Sequence, residues 1–274
     1  MRSRNSLSIF TGAYRLVRKA DLLELRWLRR TFVSSYFAYK RFYEDPFQGL
    51  IRRMPELFQD GDILDIGANI GYTACLFAGA LTPGSKVYAF EPDRSSHALL
   101  TEIVRQKKLS ASVEAMNLAV GSGLGQVQFW HNKEHSADHR VVTENFRSAR
   151  SDAIETTTVP MTSVDAFVKV RNLRKVSFIK IDVQGYELAV CEGMSETLKR
   201  FPGAHICLEY SPQGLLELGF EPEKVLNFLR VRGYQLYVLT RTQVHAAPDN
   251  TVVQRSVQRA GYVDLLCSRN ALAL

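Results

Sequence analysis

Two acids and two glycines in the first third of the chain have the spacing of a cofactor-binding turn. The segment Asp62–Ile66 is largely apolar, and Gly67 and Gly71 follow it. This pattern predicts a buried strand, a tight turn and a helix, and the glycines allow the backbone to turn sharply and approach a ligand closely. Because ligands of open α/β sheets bind outside the carboxyl ends of the strands, we expect Asp65 to lie beside the ligand.

The second acid, Glu91, follows Gly71 by twenty residues and ends another apolar segment. An acid at this place can accept hydrogen bonds from both ribose hydroxyls, in NAD-binding and in S-adenosylmethionine (SAM)-binding domains alike. The turn separates the two, because Asn69 stands where a dinucleotide-binding turn needs its second glycine to admit the pyrophosphate. Asp65 would repel a pyrophosphate but suits the ammonium group of SAM. The pattern therefore favours SAM over NAD.

Apolar and amphipathic segments alternate from residue 61 onward, which predicts an α/β fold with a mostly parallel sheet of seven strands. The predicted strands are 62–66, 86–90, 113–120, 177–183, 205–210, 234–239 and 262–267, and the predicted helices are 72–81, 93–107, 186–199 and 221–232. No helix is predicted between the last two strands, which should form an antiparallel hairpin at the sheet edge.

Two further regions of the sheet could contact ligands. Asn117 lies in the last part of the third predicted strand, where it could hydrogen-bond the adenine ring or a neighbouring loop. Residues 126–160 form a long polar segment before the fourth strand, with short extended pieces at 126–130 and 155–160. Loops of this length inside a compact domain are usually functional, so we expect a substrate loop.

The fourth predicted strand carries charges in an otherwise apolar segment. Lys180 and Asp182 are two residues apart and share one face of the strand, and Glu187 follows closely. Asp182 ends the strand next to the first one, so it should face the methyl donor or the acceptor. Buried charges are costly unless they are paired or functional, so a buried pair of Lys180 with an aspartate is the structural alternative.

Several motifs together resemble the FkbM family of methyltransferases over residues 60–240. They are DIGANIGY (65–72), AFEPD (89–93), NLAVG (117–121), MTSVDAF (161–167) and FIKIDVQGYE (178–187). The resemblance implies a class I, Rossmann-like, SAM-dependent fold and O-methylation of a hydroxyl on a sugar, polyketide or other secondary metabolite. Family members often read DVEGxE in the last motif, whereas this chain has Gln184 in place of the first Glu.

Methyl transfer to a hydroxyl requires alignment of the reactants and removal of a proton. The candidate bases are Asp182, His139, Glu209 and Glu187, with Asp182 and His139 preferred. The expected cofactor-binding residues are Asp65, Gly67, Asn69, Gly71, Glu91, Asn117 and Asp182. The spacing of His131, His135 and His139 could suggest a metal, but no acid or cysteine frame accompanies them in sequence, so no metal site is expected.

Positive charge is concentrated at the N-terminus. The first 41 residues hold ten Lys and Arg against two acids, whereas the remaining residues hold 25 and 26. Apolar residues recur at helical spacing over 13–39, so we expect a basic helical arm at 1–59 and a methyltransferase domain at 60–274. The arm should pack on the domain, although such a helix could also lie on an anionic membrane. No motif supports nucleic-acid binding.

The chain has no evident signal peptide and no apolar stretch of membrane-spanning length, and its four scattered cysteines look like reduced core residues. These features predict a cytoplasmic enzyme acting on a small-molecule or glycan acceptor. Two alternatives to a SAM-dependent methyltransferase are a non-catalytic protein that retained the fold and an NAD-linked oxidoreductase. Asn69 argues against the second, and the retained acids Asp65, Glu91 and Asp182 argue against the first.

Overall fold

The computed structural model describes residues 26–131, 139–150 and 154–273. The helices are α1 Arg26–Tyr39, α2 Phe47–Arg53, α3 Tyr72–Ala78, α4 Arg94–Gln106, α5 Glu144–Ser148, α6 Val164–Val170, α7 Glu187–Glu192, α8 Ser195–Arg200, α9 Pro212–Glu217, α10 Pro222–Arg230 and α11 Asn250–Ala260. A π-helical turn, Lys40–Glu44, continues α1, and a 3-10 turn, Pro55–Phe58, follows α2. Helix α1 is the second part of the helix predicted over 13–39. The first part, residues 13–25, and His135 lie outside the described residues.

The strands form two sheets. They are β1 Asp62–Ile66, β2 Val87–Phe90, β3 Val113–Met116, β4 Ala119–Val120, β5 Gly125–Trp130, β6 Arg140–Val141, β7 Thr156–Thr162, β8 Val176–Ile181, β9 His205–Tyr210, β10 Gln235–Leu239, β11 Val244–Ala246 and β12 Val263–Ser268. The main sheet has the order β11-β10-β12-β9-β8-β1-β2-β3, in which β9, β8, β1, β2 and β3 are parallel. The predicted α/β fold with a mostly parallel sheet is confirmed.

The C-terminal end of the sheet differs from the prediction in two respects. Strands β10 and β12 pair antiparallel as expected, but β11 adds an eighth strand at the edge. Helix α11 lies between β11 and β12, so the prediction of no helix there was wrong. Val253, Val257 and Ala260 recur at helical spacing, but the helix is mostly polar and only Val253 on it is fully buried. Asp249 caps its start through the Thr251 and Val252 N–H groups.

The predicted substrate loop is largely a second sheet of order β4-β7-β5-β6. Residues 113–120, predicted as one strand, divide into β3 in the main sheet and β4, which pairs with β7. The predicted helix 186–199 also divides, into α7 and α8. The break lies at Gly193, where no side chain fits, because a Cβ on this residue would lie 2.1 Å from the Gly121 carbonyl oxygen.

Residues just before β1 contribute to the core of the domain. Phe47, Leu50 and Phe58 are almost completely buried and pack in the same cluster as Phe77 and Phe178. The Phe58 and Phe178 ring centroids are 4.5 Å apart. Burial of each such side chain contributes roughly 1.5–3 kcal/mol, so this segment is tied to the sheet. The division of the chain at residue 59 stays a prediction. No described helix combines the length and apolar character needed to cross a bilayer.

Candidate active site

A cavity of about 600 Å³ opens where the carboxyl ends of β1, β2, β8 and β9 meet. Its floor comes from the turn after β1 and from the ends of β2 and β8. The second sheet supplies one wall and α1, with the π-helical turn, another. Cofactor pockets commonly have a volume of roughly 300–1,000 Å³, so a nucleoside-containing molecule fits here.

The turn after β1 brings backbone close to the cavity. Gly67 has a φ of 79°, and a Cβ on it would lie 1.8 Å from the Asp182 carbonyl oxygen, so no other residue fits. Asn69 also has a positive φ, 48°, and lines the cavity. Gly71 has a φ of 87° and lies behind the wall, where a Cβ would meet the Leu100 side chain at 2.3 Å. The glycines therefore shape the turn through close packing.

Glu91 lines the cavity at the end of β2. Its two carboxylate oxygens accept hydrogen bonds from the N–H groups of Asn69 and Asp93, both at 2.8 Å. Burial raises the pKa of Glu91 to about 8 against these hydrogen bonds. The Asn117 amide donates to the carbonyl oxygens of Glu91 and Pro92 at 2.9 and 3.0 Å. Asn117 thus contacts a neighbouring loop, one of its two predicted contacts, and fixes the backbone that carries Glu91.

Asp65 does not line the cavity but lies completely buried behind it. Its carboxylate accepts a 2.6 Å hydrogen bond from the Thr73 hydroxyl and lies 3.4 Å from the Lys180 ammonium. Lys180 also lies 3.5 Å from Asp182 and donates to the Gly67 carbonyl oxygen at 2.9 Å. Burial alone would lower the pKa of Lys180, but Asp182 and Asp65 outweigh it and hold that pKa above its ordinary value. This charged cluster joins β8 to the turn.

A group of carboxyls lines the other end of the cavity. Asp182 is partly exposed there, and the Gln184 amide donates to it at 2.8 Å and to Glu209 at 3.2 Å. Burial and the nearby Asp182 raise the pKa of Glu209 well above its ordinary value. Asp264, which pairs with Glu209 across β9 and β12, has its pKa raised to about 7, mainly by burial. A glutamate in place of Gln184 would add a negative charge to this group of carboxyls.

Glu187, a candidate base, is completely buried and does not line the cavity. Its carboxylate accepts N–H groups of Val183 and Gly185 at 3.2 and 3.1 Å. Burial raises its pKa to about 7. The contacts fit a role in holding the loop after β8, on which Gln184 lies.

His139 lines the cavity and its ring contacts that of Phe129, with centroids 6.2 Å apart. Its ring stacks on His131, with centroids 4.3 Å apart. His131 Nδ1 in turn lies 2.7 Å from Asp93 Oδ2. The fold therefore brings the acid Asp93 to two of the three spaced histidines, although it is distant from them in sequence.

Sequence reasoning missed several lining residues because they come from the ends of the chain. Tyr36 and Lys40 reach the cavity from α1 and its continuation, and Lys40 pairs with Glu44 at 2.6 Å. Tyr262 and Asp264 come from the start of β12. An isolated acid inside the last strand was the available signal for Asp264. The four cysteines are free, and three are buried, as expected.

Comparison with known proteins identifies the family of the chain. The model of the methyltransferase FkbM domain matches residues 65–236. A hexuronic acid methyltransferase of Haloferax volcanii is 26% identical over 72% of this chain and 77% of its own length. An FkbM methyltransferase structure from Methylobacillus flagellatus has 16% identity, a TM-score of 0.47 and coverage of 85% of this chain, which spans only 50% of that protein.

A Bacillus cereus O-methyltransferase, solved with S-adenosylhomocysteine (SAH), has 14% identity and a TM-score of 0.45, with coverage of 85% of this chain and 88% of its own. The match to the family model extends from Asp65 to β10 and so includes the turn, Glu91, Asp182 and Glu209. The expected SAM cofactor is confirmed by the family and an NAD-linked enzyme is not supported, but Asp65, which was expected beside the ligand, lies behind the cavity wall. The chain belongs to the FkbM family of SAM-dependent methyltransferases.

Proposed function

We propose that this methyltransferase acts on a hydroxyl of a sugar or glycan that contains a hexuronic acid, with Asp182 as the general base. The observation that carries the base assignment is the placement of Asp182. It is a partly exposed acid at the cavity floor, and it is held by Lys180 at 3.5 Å and by Gln184 at 2.8 Å. The acceptor class is supported by the printed activity of the Haloferax relative.

The cofactor would be held between the turn and the end of β2. The turn at Gly67 and Asn69 lets the cofactor lie close to the protein backbone, and the Glu91 carboxyl group can accept hydrogen bonds from the ribose hydroxyls. Bound there, SAM supplies a methyl group on a positively charged sulfur. Asp65, Gly71 and Asn117 would act by positioning, because they pack behind the lining residues.

The acceptor would lie at the carboxyl end of β8, where Asp182 can take the proton from the attacking hydroxyl. The nearby Lys180 ammonium stabilises a negatively charged Asp182 before the reaction. Gln184 fixes the carboxylate orientation, and Glu209 with its raised pKa is a proton-holding neighbour. His139 remains a predicted second candidate for the base, and it lines the cavity.

The acceptor test is methyl transfer from SAM to glucuronic and galacturonic acid glycosides, compared with the matched neutral hexosides. Mass spectrometry detects the product, and alkaline hydrolysis then distinguishes a methyl ether, which survives, from a methyl ester, which is cleaved. We expect an alkali-stable product from the uronic acid series. An alkali-labile product would show methylation of the carboxylate and would contradict a hydroxyl acceptor.

The base assignment is tested with Asp182→Asn. Loss of a general base lowers kcat by roughly 10²–10⁴-fold, whereas SAH affinity measured by calorimetry should change by less than about threefold. The matched control is Asp60→Asn, an exposed position outside the cavity lining. Retention of kcat in Asp182→Asn together with its loss in His139→Gln would assign the base to His139. Failure of the folded protein to bind SAH would support the non-catalytic alternative.

A further inference from the structure

We propose that Asp93, His131 and His139 form a binding site for a divalent transition-metal ion of the zinc type, adjoining the cofactor cavity. Each residue offers one ligand atom, and these atoms all lie within 4.8 Å of one another. Two imidazoles and one carboxylate are a donor set that Zn²⁺ and related ions prefer, with a fourth position left for water.

The three side chains would have to shift to hold an ion. Ligand atoms of a tetrahedral zinc ion at about 2.1 Å lie about 3.4 Å apart, so any pair as far apart as 4.8 Å would have to close by about 1.4 Å. Asp93 and His131, which are hydrogen-bonded at 2.7 Å, would have to move apart by about 0.7 Å, and the two imidazole rings, stacked at 22°, would have to tilt towards a common point. Asp93 is buried and the two histidines are partly exposed, so rotation of the histidine side chains would supply most of this change.

The carboxylate is held in place by its own neighbours. Asp93 Oδ1 accepts the Ser96 N–H at 2.8 Å and the Ser95 hydroxyl at 2.5 Å, which caps α4. Oδ2 is the oxygen that faces His131. One oxygen therefore fixes the side chain while the other faces the histidines. Metal ligands are commonly held in this way by hydrogen bonds from neighbouring residues.

The three residues come from separate elements. Asp93 precedes α4, His131 directly follows β5 and His139 directly precedes β6. An ion at this place would join the second sheet to the start of α4, two residues after Glu91. His139 also lines the cavity, so binding of the ion would fix one wall of the cofactor site. This assignment gives His139 a role as a ligand instead of a base.

The test is a titration of the metal-free full-length protein with Zn²⁺ by calorimetry and with Co²⁺ by visible absorption, which reports on the ligand set. We expect one ion per chain. His131→Ala and His139→Ala should each weaken binding by about 100-fold or more, and Asp93→Asn by at least about tenfold. Asp93→Asn keeps the Oδ1 acceptor that caps α4, so it separates metal binding from folding.

The matched control is His245→Ala, which removes an exposed histidine from β11 at the far edge of the sheet. It should leave the stoichiometry and affinity unchanged. Zn²⁺ should also raise the Tm of the wild type and of His245→Ala but not of His139→Ala. Absence of saturable binding at one equivalent would overturn the proposal and leave an Asp93–His131 ion pair only. Equal binding by the His131, His139 and His245 variants would also overturn it.

Discussion

Replacement of Lys180 by Met should strongly destabilise the protein, because Lys180 is the cation that faces two acids behind the cofactor turn. Its ammonium lies 3.4 Å from Asp65, which is completely buried, and 3.5 Å from Asp182, which is partly exposed. At an effective dielectric constant of about 20, a pair at this distance attracts by about 5 kcal/mol. Desolvation of the charges offsets part of this attraction, and the Asp182 pair is weakened further by solvent.

Removal of one partner from a buried ion pair typically costs 3–5 kcal/mol, because the other charge is left uncompensated, so Lys180→Met should lower the free energy of unfolding by about 3–5 kcal/mol. Urea denaturation followed by circular dichroism measures this change. The control is Lys86→Met, which removes a largely exposed ammonium 3.8 Å from Glu114 and should cost less than about 1 kcal/mol.

A double-mutant cycle tests the cause. Asp65→Asn removes the charge that Lys180→Met leaves buried, so its cost should be smaller in the Lys180→Met background than in the wild type, with a coupling of about 2 kcal/mol. A Lys180→Met variant within 1 kcal/mol of the Lys86→Met control would refute the reasoning, as would additive effects of the two substitutions. In either case the cluster would not stabilise the turn electrostatically.

Two further changes probe the backbone and the buried acids. Gly67→Ala should cost about 2–5 kcal/mol and abolish SAH binding, because its φ is 79° and its Cβ would meet the Asp182 carbonyl oxygen. The control is Gly84→Ala, because Gly84 has a similar φ of 91° but open space around its Cβ position. Thermal denaturation should show that this control loses only about 1–2 kcal/mol of stability. Equal losses for the two variants would contradict the packing argument. Glu187 has a pKa raised from 4.5 to about 7, so its stabilising contribution is present below pH 4.5 and lost as pH rises through 7. Between pH 4.5 and 7 the free energy of unfolding of the wild type should fall by on the order of 3 kcal/mol relative to that of Glu187→Gln, as measured by urea denaturation at each pH. The control Glu196→Gln, at an exposed position, should follow the wild type. Parallel curves for all three proteins would refute the raised pKa of Glu187.

The class of fold and the cofactor turn could be predicted from the amino-acid sequence. Alternation of apolar strands and amphipathic helices is a local property, and it predicted the strands that carry Asp65, Glu91 and Asp182. The positive φ angles of Gly67 and Gly71 are a local feature of the turn, although close packing on Asp182 and Leu100 also requires glycine there. The motif match to the family follows the same residues, so fold and cofactor could be predicted before any coordinates.

Local pattern failed where packing between distant segments decided the outcome. Helix α11 has periodic valines but is mostly polar, and it was not recognised. The predicted helix 186–199 divides at Gly193, where the Gly121 carbonyl packs too closely for a side chain. The extended pieces predicted at 126–130 and 155–160 are strands β5 and β7, but their pairing with β4 and β6 into a second sheet could not be predicted from local pattern.

Which acids reach the cavity depends on tertiary packing and could not be predicted from the sequence. Asp65 and Glu187 look as suitable in sequence as Asp182, but they are completely buried behind the wall. Asp264 and Lys40 belong to opposite ends of the chain and meet the site only after folding. In the same way Asp93 reaches His131 and His139 across the boundary between two sheets, and a ligand set of this kind has no spacing that a sequence can reveal. Residue types and local spacing set the elements and the turn, whereas side-chain burial and long-range proximity, which depend on the whole fold, set the chemistry around them.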